Sequence, residues 1–292
     1  MFKAIKKSVL ITIDNPILTM SFVIYLIFLT LALPKLFVAQ NLLIFALISI
    51  LTTALSAAFL SGWLQMIKSA IKNSKKENRS EEEKLEEFNQ IKKDFFCAVP
   101  VYTLPLLVAI ILYLIMFALL TGLSANIANH YIGSLDFLIK DANVISQGGE
   151  ALQKFILNLP KEKIMILYGW QLLFDFVIGS FNFLLMFWLS ALYYPPKCSL
   201  NPISALKNSI LAIIKHPIRS AGLYLTILFL GFLFRALGML LSSNVILYFI
   251  FMILFIYFVV FIFVLIFDYY ESRFYNHNTD GCDFIGQNKT CN

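Results

Sequence analysis

The chain is built from long, nearly unbroken apolar runs separated by shorter polar or charged segments. A helix needs about 20 mostly apolar residues to cross the ~30 Å hydrocarbon layer of a membrane. Backbone polar groups inside that layer must be satisfied within the segment, which favours helices, and the alternation of membrane β-strands is absent. We therefore predict an all-α polytopic membrane protein with six transmembrane helices. The predicted spans are 17–33, 42–67, 98–123, 164–194, 221–241 and 245–267.

The segments between the spans predict how the helices are connected. Short turns at 34–41 and 242–244 make antiparallel hairpins of spans one and two and of spans five and six, and we expect three hairpins in all. They form a single membrane domain over 1–275, followed by a flexible cytoplasmic tail over 276–292. The external loop 124–163 has two apolar stretches on either side of Gly148 and Gly149, which predict two short amphipathic helices. This loop is either a structural lid or a functional segment.

The placement of Lys and Arg predicts the orientation. With the N-terminus inside, 17 of the 23 basic residues fall in internal segments and 5 in external ones. Positive charge accumulates on the cytoplasmic side of membrane proteins. We expect a multi-pass protein of the plasma membrane with both the N-terminus and the C-terminus in the cytoplasm.

Composition narrows the classes of function. Hydrophobic residues make up 60% of the chain and charged residues 14%, whereas soluble domains carry about 25% charged residues. The net charge of +6 has no basic cluster with interleaved aromatics, so we expect no nucleic-acid partner. The four Cys match no zinc-site spacing, and the Ser residues lack a G-x-S-x-G context. We therefore expect no catalytic residues, no metal and no cofactor.

Two segments of the chain repeat each other. Residues 3–10 and 204–211 align without a gap at a constant offset of 201, and Pro16 and Pro217 keep the same register. In each copy, apolar residues recur at helical spacing beside Lys, which predicts an amphipathic helix lying on the inner leaflet. The residue before a proline avoids the helical conformation, so each proline should end this helix and begin a span. We infer a parallel internal repeat.

A set of short motifs resembles a known family. The motifs are G-W-L-Q-M-I at 62–67, L-E-E-F at 85–88, prolines at 100 and 105, A-L-K at 205–207 and D-Y-Y-E-S-R at 268–273. Their order resembles an uncharacterised archaeal and bacterial domain-of-unknown-function family of six-helix membrane proteins. It is also similar in layout to the membrane domain of some glycerophosphodiester phosphodiesterases. The resemblance implies the fold and offers no known activity, and no phosphodiesterase catalytic domain is found in this sequence.

Asp175 and Arg235 are the formal charges that lie deep in the predicted spans. An ionisable group in a membrane is costly and is a candidate for function. Gln171 and Asn182 share the helix face of Asp175, while Gly231, Gly238 and Ser242 share that of Arg235. We predict an ion pair between Asp175 and Arg235, which would either hold spans four and five together or form a substrate or proton site.

These patterns favour a non-enzymatic membrane scaffold or accessory subunit. The alternative is a transporter of a small solute or lipid that uses the polar site between spans four and five. The lipid bilayer is the expected partner, together with a second membrane protein or a cytoplasmic protein for the scaffold.

Overall fold

The computed structural model describes residues 2–38, 41–76, 80–137, 158–195 and 200–275. This part of the chain is helical and contains no strand. Six of its helical segments are long and apolar enough to cross a membrane, so the prediction of an all-α polytopic protein is confirmed. The helices are α1 (Phe2–Asp14), α2 (Pro16–Val38), α3 (Leu42–Asn73), α4 (Glu81–Tyr131), α5 (Lys161–Leu185), α6 (Trp188–Tyr193), α7 (Pro202–Lys215), α8 (Pro217–Leu241) and α9 (Val245–Phe274).

Helix α4 is much longer than the span predicted over 98–123. It begins at a capping box, in which the Ser80 N–H donates to Glu83 Oε2 (2.8 Å) and the Glu83 N–H donates to Ser80 Oγ (3.2 Å). It then continues through Pro100 and Pro105 to Tyr131. Membrane helices tolerate proline because neighbouring groups can satisfy the freed carbonyls. The charged segment before span three is therefore largely helical.

The fourth predicted span, 164–194, is not one continuous helix. Helix α5 ends at Leu185, and α6 begins at Trp188 after Phe187, whose φ is −97° and ψ is 2°. The Phe187 side chain is fully buried against the rings of Tyr269, Tyr270 and Phe274. The indole N–H of Trp188 donates to the carbonyl oxygen of Pro202 (2.8 Å). These contacts account for the break, because they anchor the turn and set α6 against α7.

The two copies of the predicted repeat have the same local form. Helices α1 and α7 are each followed, after one residue, by a helix that begins at a proline, Pro16 or Pro217. Positions 2–16 and 203–217 have the same degree of burial at 13 of 15 aligned sites, including the fully buried Ser8 and Ser209. Helix α1 packs on α9 and α2, while α7 packs on α6 and α8. An origin by duplication stays a prediction.

The chain divides into two compact units. Unit 1 comprises Met1–Ile110 and Leu184–Asn292, and unit 2 comprises Ile111–Phe183. The largest fully buried side chains of unit 1 include Trp63, Tyr102, Tyr193 and Phe267. In unit 2, the indole N–H of Trp170 donates to the carbonyl oxygen of Gly133 (2.9 Å). The loop stretch 138–157, where most of the predicted external helices fall, and the predicted tail lie outside the described residues.

Candidate functional site

Arg235 lines a groove between α8 and α9 in unit 1. The groove has a volume of about 520 Å³, and Arg235 lies six residues before the end of α8, which is ~9 Å along the axis. Its α8 wall includes the whole predicted stripe: Gly231, Arg235, Gly238 and Ser242. A Cβ atom at Gly238 would lie 2.8 Å from Cε1 of Phe251, so a larger residue there would displace the Phe251 ring.

The opposite wall of the groove is aromatic. It is formed by Tyr248, Phe251 and Phe255 on α9. The exposed guanidinium of Arg235 is the formal charge among the lining residues. A long Arg side chain can lay its stem on apolar surface and direct its charge towards the membrane interface. An anionic headgroup with an apolar tail matches this combination of walls.

The other three predicted site residues lie on α5 in unit 2. Gln171, Asp175 and Asn182 are all exposed. Asp175 follows Lys161 by 14 residues, so it lies ~21 Å along a helix of 25 residues. The three side chains share one helix face because they are four and seven residues apart. Asp175 and Arg235 belong to different units, and their predicted ion pair stays a prediction.

Two buried carboxylates were missed by sequence reasoning. Asp268 and Glu271 near the end of α9 are 3% and 5% exposed. The Lys7 ammonium of α1 donates a hydrogen bond to Asp268, and Lys75 Nζ lies 2.8 Å from Glu271 Oε2. Both acids belong to the motif at 268–273, but the bond from Lys7 joins residues 261 positions apart. Nothing in the sequence indicates such a pairing.

The same end of unit 1 contains a third buried carboxylate. Asp94 of α4 accepts hydrogen bonds from Ser69 Oγ (2.5 Å) and Gln90 Nε2 (2.7 Å). We name this end of unit 1 the basic end, defined by α1, residues 68–76 and 80–95, α6, α7 and residues 268–275. The buried carboxylates of the basic end accept hydrogen bonds or face a lysine, as buried acids require. The contacts of these carboxylates with Lys7, Lys75 and Ser69 hold the helix ends together.

A second cavity opens at the basic end, between the C-terminal half of α7 and the end of α9. Its volume is about 470 Å³. The polar and basic residues that line it are Tyr194, Asn208, Lys215, His216, Tyr270 and Arg273. Sequence reasoning missed this cavity as well, since its walls come from segments separated by tens of residues.

The fold, with its six apolar helices of membrane length, defines the class of the protein as a polytopic α-helical membrane protein. Among the residues described, no group of three or more His, Cys, Asp or Glu side chains could hold a metal ion. No model of a protein family, no curated protein and no solved structure matches the chain. The family resemblance of the short motifs therefore stays a prediction.

Proposed function

We propose that this chain is a non-enzymatic scaffold or accessory subunit that binds another membrane protein through the polar face of α5. The observation that carries the proposal is the exposure of Gln171, Asp175 and Asn182 along one face of a membrane-length helix. An Asp side chain at the centre of a membrane helix costs about 2.5–3.5 kcal/mol on insertion scales. A partner helix with polar or basic side chains would remove that cost by hydrogen bonding across the interface.

We further propose that the protein resides in the plasma membrane with both ends in the cytoplasm. The excess of Lys and Arg in the predicted internal segments supports the orientation, and helices α1 and α7 support a position at the membrane interface. Leu10 and Ile13 of α1 and their counterparts Leu211 and Ile214 of α7 are exposed. Each helix thus offers apolar side chains that protein does not cover, as a helix embedded in the membrane interface does.

Photo-crosslinking in native membranes tests the binding face. A photoreactive amino acid at position 171 should form adducts with a protein, because under this proposal a partner protein covers the polar face. The matched control is position 172, where Leu172 is 69% exposed and should yield adducts with lipid. Asp175→Leu should reduce the protein adducts formed from position 171, since it removes the polar group at the centre of the face.

The scaffold proposal fails if positions 171 and 172 yield lipid adducts alone. An adduct that contains two copies of this chain would identify the partner as a second copy. It would still support association through the polar face.

The groove at Arg235 favours a second candidate function, transport of an anionic lipid or small solute. Its single guanidinium and aromatic wall suit a ligand with an anionic head and an apolar tail. Under this alternative, the purified protein moves a fluorescent anionic lipid between the leaflets of liposomes, and Arg235→Gln slows that movement. A scaffold produces no such movement.

A further inference from the structure

The cavity at the basic end carries an excess of positive charge. Lys215 and Arg273 line it, and neither makes an ion pair within the described part of the chain. The nearby acids Asp268 and Glu271 are already engaged by Lys7 and Lys75. The charges of Lys215 and Arg273 are therefore available to a ligand.

Tyr194 lines the same cavity and carries a hydrogen-bond donor that the protein leaves unused. The residue is 3% exposed, and its hydroxyl is buried without a hydrogen-bond partner among the described residues. The ammonium of Lys68 lies 5.3 Å from the centre of its ring, which brings a further positive charge close. A buried hydroxyl without a partner costs about 1–3 kcal/mol. An acceptor oxygen from a bound ligand would remove that cost.

The lysine that lines the cavity has an acidic counterpart in the first copy of the predicted repeat. Asn208, Lys215 and His216 occupy the positions of Lys7, Asp14 and Asn15 in α1. In the first copy, Lys7 bonds to Asp268 and Asp14 is acidic. In the second copy, Lys215 stands in place of Asp14. Asn208, a neutral amide that lines the cavity, stands in place of Lys7.

We propose that this cavity binds the phosphate group of an anionic phosphate ester. Lys215 and Arg273 supply charge-assisted hydrogen bonds to the phosphate oxygens, and Tyr194 and Asn208 supply neutral donors. Phe274 and Tyr275 form an apolar wall for the carbon part of the ligand. The volume of about 470 Å³ lies in the range of small-molecule sites, so the ligand is larger than bare phosphate. The site does not depend on the polar face of α5.

Such a phosphate can come from a lipid headgroup or from a soluble compound. Basic pockets at the cytoplasmic ends of membrane helices bind anionic headgroups. Binding to the full chain in mild detergent should therefore be measured with dioctanoyl phosphatidic acid, inorganic phosphate and dioctanoyl phosphatidylcholine. Tighter binding of phosphatidic acid identifies the lipid as the source, whereas equal binding of inorganic phosphate identifies a soluble ligand. The zwitterionic lipid should bind more weakly than phosphatidic acid.

Paired variants separate this site from general attraction to a basic surface. Lys215→Gln with Arg273→Gln should weaken the binding of phosphatidic acid about tenfold or more, since two charge-assisted bonds are lost. The control is Lys6→Gln with Lys207→Gln, which changes the net charge equally at exposed positions that do not line the cavity. This control should leave the affinity within about twofold, the effect of a small change in surface charge.

Tyr194→Phe keeps the ring in place, so it tests the site even if the double variant fails to fold. It should weaken binding about fivefold, as expected for the loss of one neutral hydrogen bond. Equal losses in the cavity variant and the surface control would overturn the proposal. It would also be overturned if phosphatidic acid bound no better than phosphatidylcholine, or if Tyr194→Phe left the affinity unchanged.

Discussion

Adjacent tyrosines at the end of α6 differ in their hydrogen bonding. Tyr193 donates from its hydroxyl to the carbonyl oxygen of Ser61 (2.8 Å) and stacks on Tyr102 with a centroid distance of 4.4 Å. Tyr194 is equally buried, yet its hydroxyl has no partner among the described residues. Both tyrosines stand at the end of the predicted span 164–194, where aromatic side chains are common at the membrane interface. One hydroxyl has a structural role and the other is a candidate donor to a ligand. This difference depends on which helices surround each hydroxyl.

Replacing Tyr193 by Phe should therefore destabilise the ligand-free protein, whereas replacing Tyr194 by Phe should not. The expected loss for Tyr193→Phe is about 1 kcal/mol, because it removes one buried hydrogen bond. Reversible unfolding of the delipidated protein in mixed detergent micelles measures both values. Equal losses in the two variants would contradict the assigned role of the Tyr193 hydroxyl.

The residues of the candidate site were predictable to different extents. The stripe of Gly231, Arg235, Gly238 and Ser242 follows from helical spacing alone, and all four residues line the groove. Exposure of Asp175 was not predictable, because helical spacing indicates which residues share a face and not what covers that face. The pairing of Lys7 with Asp268 was not predictable either, since the two residues come together only when α1 packs on α9.

At the scale of elements, most helix starts follow local chemistry. Asn41, Asn201 and Asn244 each cap a helix by accepting from the N–H two residues later. Pro217 opens α8 at a position that lacks an intrahelical partner for its nitrogen. The break at Phe187 has no such signal, since no glycine or proline stands there. Its cause is the packing of the Phe187 ring.

The contact between α3 and α4 depends on a glycine. A Cβ atom at Gly62 would lie 2.6 Å from Cδ2 and 2.8 Å from Cγ of Phe95. The Phe95 ring also contacts Phe59 and Phe96 edge-on, which restricts its movement. Gly62→Ala should therefore destabilise the protein by about 1–3 kcal/mol, the usual cost of overpacking.

Gly222 provides the matched control for Gly62. A Cβ atom at Gly222 meets nothing within 4 Å, so Gly222→Ala should be neutral or slightly stabilising, because Ala is the better helix former. The same unfolding measurement compares the two variants. A loss at position 222 as large as that at position 62 would rule out steric contact with Phe95 as the cause.

At the scale of the whole molecule, six membrane-length helices determine the path of the chain. Each crossing reverses the direction, so an even number of crossings returns the chain to the side where it began. Within unit 1, the bond between Lys7 and Asp268 holds α1 beside the end of α9. The bias of Lys and Arg predicts that this side is the cytoplasm.

Fusion of reporters after Asn292 tests this orientation. A fluorescent protein that matures in the cytoplasm should be bright, while an alkaline phosphatase that needs export should be inactive. The reciprocal pair inserted after Gly149, in the loop that is predicted to be external, should give the opposite result. An active phosphatase after Asn292 would contradict the orientation.

The sequence by itself determined the class of fold, the number of apolar spans and the face of α8 that lines a groove. These features depend on interactions within a few turns of helix or on transfer of whole segments from water to lipid, and both are local in sequence. Tertiary structure decided the break at Phe187, the burial of Asp268 and Glu271, and the cavity beside Tyr194. Each of these depends on side chains brought together from distant helices, and helical spacing specifies a face without specifying its neighbour.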